Sequence, residues 1–322
     1  MLYLINSSSC VSSIIKHPIS TSFVGGKNML IDEIVQYCDQ AYTTQPCARC
    51  IHPSKCSGGC KMCLEEVHYP ARNPDGMKDY DCSKMIDFYV CDYSYKYASE
   101  IWYLLNRAQK FDAIDKLNVM SIGCGGCPDL MALESYLTGK NERKPISYIG
   151  IDVNELWKPI HTEISNYCKR QNNMIAQFGY VDAIEYYNDN ILGATNVLIL
   201  QYVISHFYNT GQIPKIKRFF NDLVANIILH KEKNKPLIVL VNDVNSCYRG
   251  RDYFLDLVRA LGGKGLEGTY NQFYFDYNIQ NQHQRYGNKH DSINILYQVP
   301  YAIYKYEPWQ YCSSAQLLIE IN

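Results

Sequence analysis

The sequence predicts an α/β protein, with a mostly parallel sheet covered by helices on both faces and a small, metal-stapled N-terminal module ahead of it. Three observations predict this. An apolar run, Asn118-Val119-Met120-Ser121-Ile122, enters a glycine turn, Gly123-Cys124-Gly125-Gly126-Cys127-Pro128, and a second apolar run from Ile146 to Ile151 ends on Asp152. Strand-like runs then alternate with helical stripes, the pattern of a parallel sheet with crossover helices. Finally, seven of the fourteen cysteines crowd between Cys47 and Cys91.

In chain order, Met29 to Tyr42 places Leu30, Ile31, Ile34, Val35 and Cys38 on one helical face. Cys47 to about Asn73 is rich in Pro, Gly, Lys and Cys, and such a segment needs a staple to hold a fold. From Tyr93 the helical pattern returns, with Tyr97, Ile101, Leu104 and Leu105 sharing a face. Strands are predicted at 118–122, 147–151, 175–180, 196–201 and 236–242. Helices are predicted at about 129–138, 155–170, 183–189, 213–230 and 250–261. Residues 266–322 read as β-rich closure, with strands near 270–277, 293–299 and 315–321. The chain therefore divides into a cysteine-rich module, 1–92, and a larger domain, 93–322; residues 1 to about 30 carry no assignable pattern.

A hydrophobic content of 47% excludes a disordered chain. A net charge of −1 and a pI near 6.7 give no global basic bias for nonspecific nucleic-acid binding. Two local basic clusters, Lys215/Lys217/Arg218 and Lys231/Lys233/Lys235, read as solvated helix faces or ends. The 29 tyrosines read mainly as cover for strands and core. No window is long and apolar enough to span a membrane, and the N-terminus lacks a basic n-region. The expected location is cytoplasmic, where cysteines bind metal more readily than they form disulfides.

The glycine turn carries the chemistry. Glycine accepts positive φ and removes side chains that would block a ligand, and the helix after the turn presents N–H groups at its start. An acid closing the next strand can accept both hydroxyls of a ribose. Together they place a nucleoside-containing cofactor across the ends of two parallel strands. The turn departs from the dinucleotide pattern G-x-G-x-x-G, which weakens a nicotinamide reading.

The run from Asn118 to Leu130 resembles motif I of the class I S-adenosylmethionine-dependent methyltransferases, in which an apolar strand meets G-C-G-x-G and then Asp-Leu. Ile149-Gly150-Ile151-Asp152 is similar to that family's second strand and ribose-binding acid, and Tyr180-Val181-Asp182-Ala183 sits where the family places an acid near the adenine amine. Val197 to Tyr202 and Pro236 to Asn242 resemble its fourth and fifth strands. The resemblance covers about 93–322 and implies a Rossmann-like class I methyltransferase fold with S-adenosylmethionine as cofactor. It implies that Gly123, Gly125 and Gly126 let the backbone approach the cofactor, that Asp129 caps a helix or holds the cofactor ammonium through water, and that Asp152 binds the ribose and Asp182 the adenine N6, with Gln201 at the end of the fourth strand beside them.

Methyl transfer from a sulfonium is already activated, so the protein mainly aligns the acceptor and sometimes removes a proton. The loop after the fourth strand, Gln201-Tyr202-Val203-Ile204-Ser205-His206-Phe207-Tyr208, offers His206 as a base and Tyr202 or Tyr208 as positioning groups. The Asp/Asn-Pro-Pro-aromatic signature of amino-methylating DNA enzymes is absent. Asn242-Asp243-Val244-Asn245-Ser246 forms a second polar cluster at the same sheet edge.

Cys47-x2-Cys50 and Cys60-x2-Cys63 are two CxxC knuckles, each able to present two thiolates to one ion, with zinc favoured and Cys56 and Cys82 as alternates. A rival is set by Cys56-x3-Cys60-x2-Cys63, whose spacing resembles the iron–sulfur motif of radical S-adenosylmethionine enzymes. A third reading is a non-catalytic protein that binds the cofactor. For the methyltransferase, the expected acceptor is RNA or a nucleic-acid-associated protein presented by the zinc module.

Overall fold

The computed structural model describes residues 29–44, 59–72, 79–183, 194–247, 249–266, 268–277 and 285–322. Its helices are α1 (Leu30–Thr44), α2 (Cys60–His68), α3 (Ser83–Leu105), α4 (Pro128–Gly139), α5 (Lys158–Arg170), α6 (Val203–Asn209), α7 (Ile216–Asn226) and α8 (Phe254–Gly262). Its strands are β1 (Leu117–Ile122), β2 (Ile146–Ile151), β3 (Met174–Gly179), β4 (Val197–Gln201), β5 (Leu237–Val244), β6 (Gly268–Tyr274), β7 (Asn288–Lys289) and β8 (Ser314–Ile321). They form one eight-stranded sheet in the order β3-β2-β1-β4-β5-β8-β6-β7. The expected mixed α/β class and mostly parallel sheet are present. Strand β8 runs antiparallel between β5 and β6, which makes it the one reversed strand among the described residues.

Alternation along the strands divides the core. Val197 and Ile199 face one layer, and Leu198 and Leu200 the other; Ile238 and Leu240 oppose Val239 and Val241 in the same way. Both sides of each strand are therefore apolar, as a sheet covered on both faces requires. One layer holds α1, α3, α4 and α5, and the other α6, α7 and α8.

Two expected features take a different form. Helix α3 begins ten residues before Tyr93, at Ser83, and 18 of its 23 residues are buried. It lies between the sheet, α1 and α4, so it is enclosed on most sides and Asp87, Asp92, Lys96 and Glu100 interrupt any single apolar stripe. Position 92, where the sequence suggested a domain boundary, falls inside this helix.

The run 293–299 is not a strand: it carries only isolated bridge residues, Asn294, paired with Tyr311, and Tyr297, and Leu296, Tyr297 and Val299 are buried. Its amide at Leu296 donates to the Ser99 hydroxyl of α3 at 2.8 Å, so a helix side chain satisfies it in place of a neighbouring strand. The helix expected at 183–189 falls, past its first residue, outside the described residues.

Candidate cofactor site

The site forms where β1, β2, β4 and β5 end. Two glycines of the turn have positive φ, Gly123 at +62° and Gly125 at +48°. The turn is also crowded: a Cβ on Gly123 would lie 2.9 Å from Val203 Cγ2, and one on Gly126 would lie 2.9 Å from Val90 Cγ2. Asp152 holds this turn directly. Its Oδ2 accepts the Gly125 amide at 2.9 Å and its Oδ1 accepts the Asn154 amide at 2.9 Å. Burial raises its carboxyl above the usual range, and the Asn154 and Gly125 amides oppose that shift. Asn154 in turn ties the loop to the Tyr80 carbonyl through its Nδ2 at 2.9 Å.

A cavity of about 600 Å³ opens above the turn. It brings together Gly123, Gly125, Asp152, Asp182, Gln201, Tyr202 and His206, which are scattered over some eighty positions of sequence. Gly126 and Asp129 are not among its lining residues. Gly126 packs against Val90 and Trp157. Asp129 is 1% exposed, receives the Tyr148 hydroxyl at 3.1 Å and has its carboxyl pushed up to about 6 by burial, against hydrogen bonds from Ser121, Tyr148 and the first helical amides. Asp129 is the second residue of α4, whose N-cap position is Cys127 with no side-chain cap.

Gln201 donates through Nε2 to the Tyr97 carbonyl at 2.9 Å, while its buried Oε1 has no hydrogen-bond partner among the described residues. Tyr202 has φ +57° and starts α6. Its hydroxyl donates to Glu100 Oε2 at 2.8 Å, and burial followed by the Glu100 charge raises it well above the ordinary phenol range. It is therefore a neutral donor and no base. Asp243 caps α6 by accepting the Ile204 amide at 2.8 Å and the Ser205 amide at 3.1 Å. Of the second polar cluster, Val244, Asn245 and Ser246 line the cavity, whereas Asn242 and Asp243 are buried behind it.

The sequence reading missed an aromatic wall. Tyr89, Tyr93 and Tyr97 recur every four residues on α3 and stack in sequence, each adjacent pair with centroids 5.1 Å apart and planes at 30°. Tyr97 also meets Tyr202 at 4.3 Å. Trp157, Tyr80, Tyr277 and Trp309 line the same space. Lys96, 5% exposed, lies 4.7 Å over the Trp309 ring and 3.8 Å from Glu100. His68 pairs with the Tyr80 hydroxyl at 3.0 Å, and burial, with Lys96 and His206 nearby, lowers it to about 4. The four-residue tyrosine spacing was the available signal, since it places side chains on one helical face.

The proposed zinc ligands are split. Cys47, Cys50 and the alternate Cys56 lie outside the described residues. Cys60 and Cys63 share the first turn of α2, a helix inside the segment expected to be irregular, and Cys82 is buried just before α3. Among the described residues, the side chains clustered closely enough to hold an ion are others: Cys124, Cys127 and His161. The Cys127 thiol is held below its ordinary range because Cys124 and His161 overcome the opposing effect of burial.

No family model matches the chain, and no curated protein matches it. Solved structures to which it is similar include an S-adenosylmethionine-dependent methyltransferase from Archaeoglobus fulgidus, at 13% identity and a TM-score of 0.37, covering 71% of this chain and 98% of that one. They also include the plantazolicin methyltransferase BamL in complex with a triazolic analogue and SAH, at 11% identity and a TM-score of 0.39, covering 91% and 96%. A third is the [4+2]-cyclase SpnF, at 12% identity and a TM-score of 0.38, covering 69% and 79%. The three are not all named for the same reaction. Among the described residues no helix is long and apolar enough to cross a membrane.

Proposed function

We propose that the chain is an S-adenosylmethionine-dependent methyltransferase whose cofactor lies across the ends of β1, β2 and β4. One observation supports this above the rest: a single cavity gathers the glycine turn, Asp152, Asp182, Gln201, Tyr202 and His206. Its volume falls in the range of small-molecule sites. The donor set suits the cofactor. A carboxylate offers about four acceptor positions, so Asp152 keeps two for ribose hydroxyls after holding Gly125 and Asn154. Gln201 Oε1 is an acceptor in need of a donor, which a cofactor ammonium supplies. Asp182 lines the same cavity, on the side proposed for the adenine amine.

The bound cofactor supplies a methyl group already activated on sulfur. The chain's task is alignment and exclusion of water. Tyr202, pinned to Glu100 and packed at a tilt against Tyr97, positions the acceptor, and His206 takes its proton where the acceptor carries one. The tyrosine wall favours a planar acceptor, because aromatic rings stack on planar groups at about 1–3 kcal/mol per base. A nucleobase of RNA, or a nucleic-acid-associated protein presented by a zinc-bearing N-terminal segment, remains the proposed class. The radical alternative, using Cys56, Cys60 and Cys63, loses support from the open sheet with an antiparallel β8, since a barrel was its expected frame.

Titration calorimetry with S-adenosylmethionine and its demethylated product tests the cofactor. Transfer of labelled methyl to total RNA, protein and small-molecule fractions then tests the reaction. Absence of binding to both ligands would reject the reading, and binding without transfer to any fraction would favour the non-catalytic protein.

A further inference from the structure

We infer that Cys124, Cys127 and His161 form a binding site for a zinc ion directly beneath the cofactor turn. Their ligand atoms, the two sulfurs and a ring nitrogen, all lie within 4.8 Å of one another, and Cys124 Sγ is 3.8 Å from His161 Nε2. Tetrahedral zinc with Zn–S near 2.3 Å and Zn–N near 2.0–2.1 Å needs ligand atoms about 3.5–3.8 Å apart, so small side-chain movements complete the shell. Two thiolates and an imidazole are a donor set that zinc prefers. None of the three lines the cofactor cavity, so the site is separate from it.

The surroundings are arranged around these atoms. His161 Nδ1 pairs with the Tyr180 hydroxyl at 2.9 Å, and the ring stacks on Phe178 at 4.0 Å with planes 9° apart. An outer partner on the second nitrogen is what orients a metal-bound histidine and sets its tautomer. Gly150 leaves room for one sulfur, since a Cβ there would sit 2.8 Å from Cys124 Sγ. Cys127 adopts φ +56°, a conformation that costs a non-glycine residue about 1 kcal/mol or more. A glycine would relieve that strain and lose the sulfur.

The competing arrangement is a plain hydrogen bond, because His161 Nε2 also lies 2.7 Å from the Gly125 carbonyl. Metal binding exchanges that bond for coordination and moves the ring proton to Nδ1, facing Tyr180. Three protein ligands leave one position for water or for the Gly125 carbonyl. The ion would tie the turn to α5 and hold Gly123 and Gly125 in their positive-φ conformations. Cys60 and Cys63 belong to α2 and are not among its ligands.

Cobalt(II) titration of the full-length protein tests it, read by thiolate-to-cobalt charge-transfer absorption and by bound metal per chain. His161→Asn is expected to bind one cobalt fewer than the wild type. His161→Cys is expected to keep that cobalt and to add one thiolate's share of charge-transfer intensity. Equal cobalt in wild type and His161→Asn would overturn the site. So would a charge-transfer band unchanged in His161→Cys, a comparison that stands whether or not His161→Asn folds. The readout is metal, so its failure is separate from failure of the methyltransferase reading.

Discussion

Replacing Asp152 with alanine perturbs two things at once, and their sizes follow from the geometry. The carboxylate accepts two backbone amides, from Gly125 and Asn154, each at 2.9 Å. A hydrogen bond to a charged group contributes about 1.5–3 kcal/mol, and because Asp152 is half-buried the lower end applies. Loss of both costs about 3 kcal/mol of stability, concentrated in the turn. Loss of two ribose hydroxyl bonds costs a further amount of about 3 kcal/mol in binding, which weakens the cofactor by about 150-fold.

Asp152→Asn keeps the shape and one acceptor oxygen, so it is expected to fall between alanine and wild type in both quantities. Urea denaturation and titration calorimetry with S-adenosylmethionine, on the same preparation, give the two numbers. A folded Asp152→Ala protein that binds within about threefold of the wild type would refute the ribose role. Reduced binding with unchanged stability would refute the turn-anchoring role.

Gly250→Ala places a Cβ 2.3 Å from Asp243 Oδ1, so the cap of α6 must shift. A loss of about 2–4 kcal/mol in urea denaturation is expected, and a loss below about 0.5 kcal/mol would contradict the packing. His290 is buried and lowered to about 4, with Nε2 paired to Gln316 at 2.7 Å and Nδ1 without a partner among the described residues. Its folded value lies below the unfolded value near 6.5, so the unfolded chain binds more protons between pH 6.5 and 4 and stability falls as pH drops through that window. At pH 5 this amounts to about 2 kcal/mol. His290→Phe, beside Phe275, is expected to flatten that part of the stability curve; an unchanged slope would sink the assignment. Tyr202→Phe removes the hydroxyl held by Glu100 and is expected to lower kcat while the cofactor Kd stays the same. His206→Asn is expected to lower the rate by about 10²-fold only for acceptors that release a proton, which pH–rate profiles on two acceptor types would show.

The parts of this protein legible in its sequence are local ones. The runs 118–122 and 147–151 and the turn between them were readable because apolar strands, glycine and a closing acid are each set within a few residues. Asp152, Asp182 and the loop from Gln201 to His206 followed because strand ends in a parallel sheet lie at one edge. The tyrosines of α3 show the limit. A four-residue spacing says that Tyr89, Tyr93 and Tyr97 share a face, yet the same pattern serves a core or a cavity equally well.

What the sequence by itself determined is the alternation of strand and helix, the strained glycine turn and the acid beside it, because these arise from backbone preferences and short-range periodicity. What only the tertiary structure decided is which side chains meet. The run 293–299 finds a serine of α3 where its apolar pattern implied a strand partner. Lys96 and Glu100 are buried in α3, and Cys124 and Cys127 meet a histidine of α5. Such meetings depend on how layers pack, and packing is a property of the whole chain that no window of sequence contains.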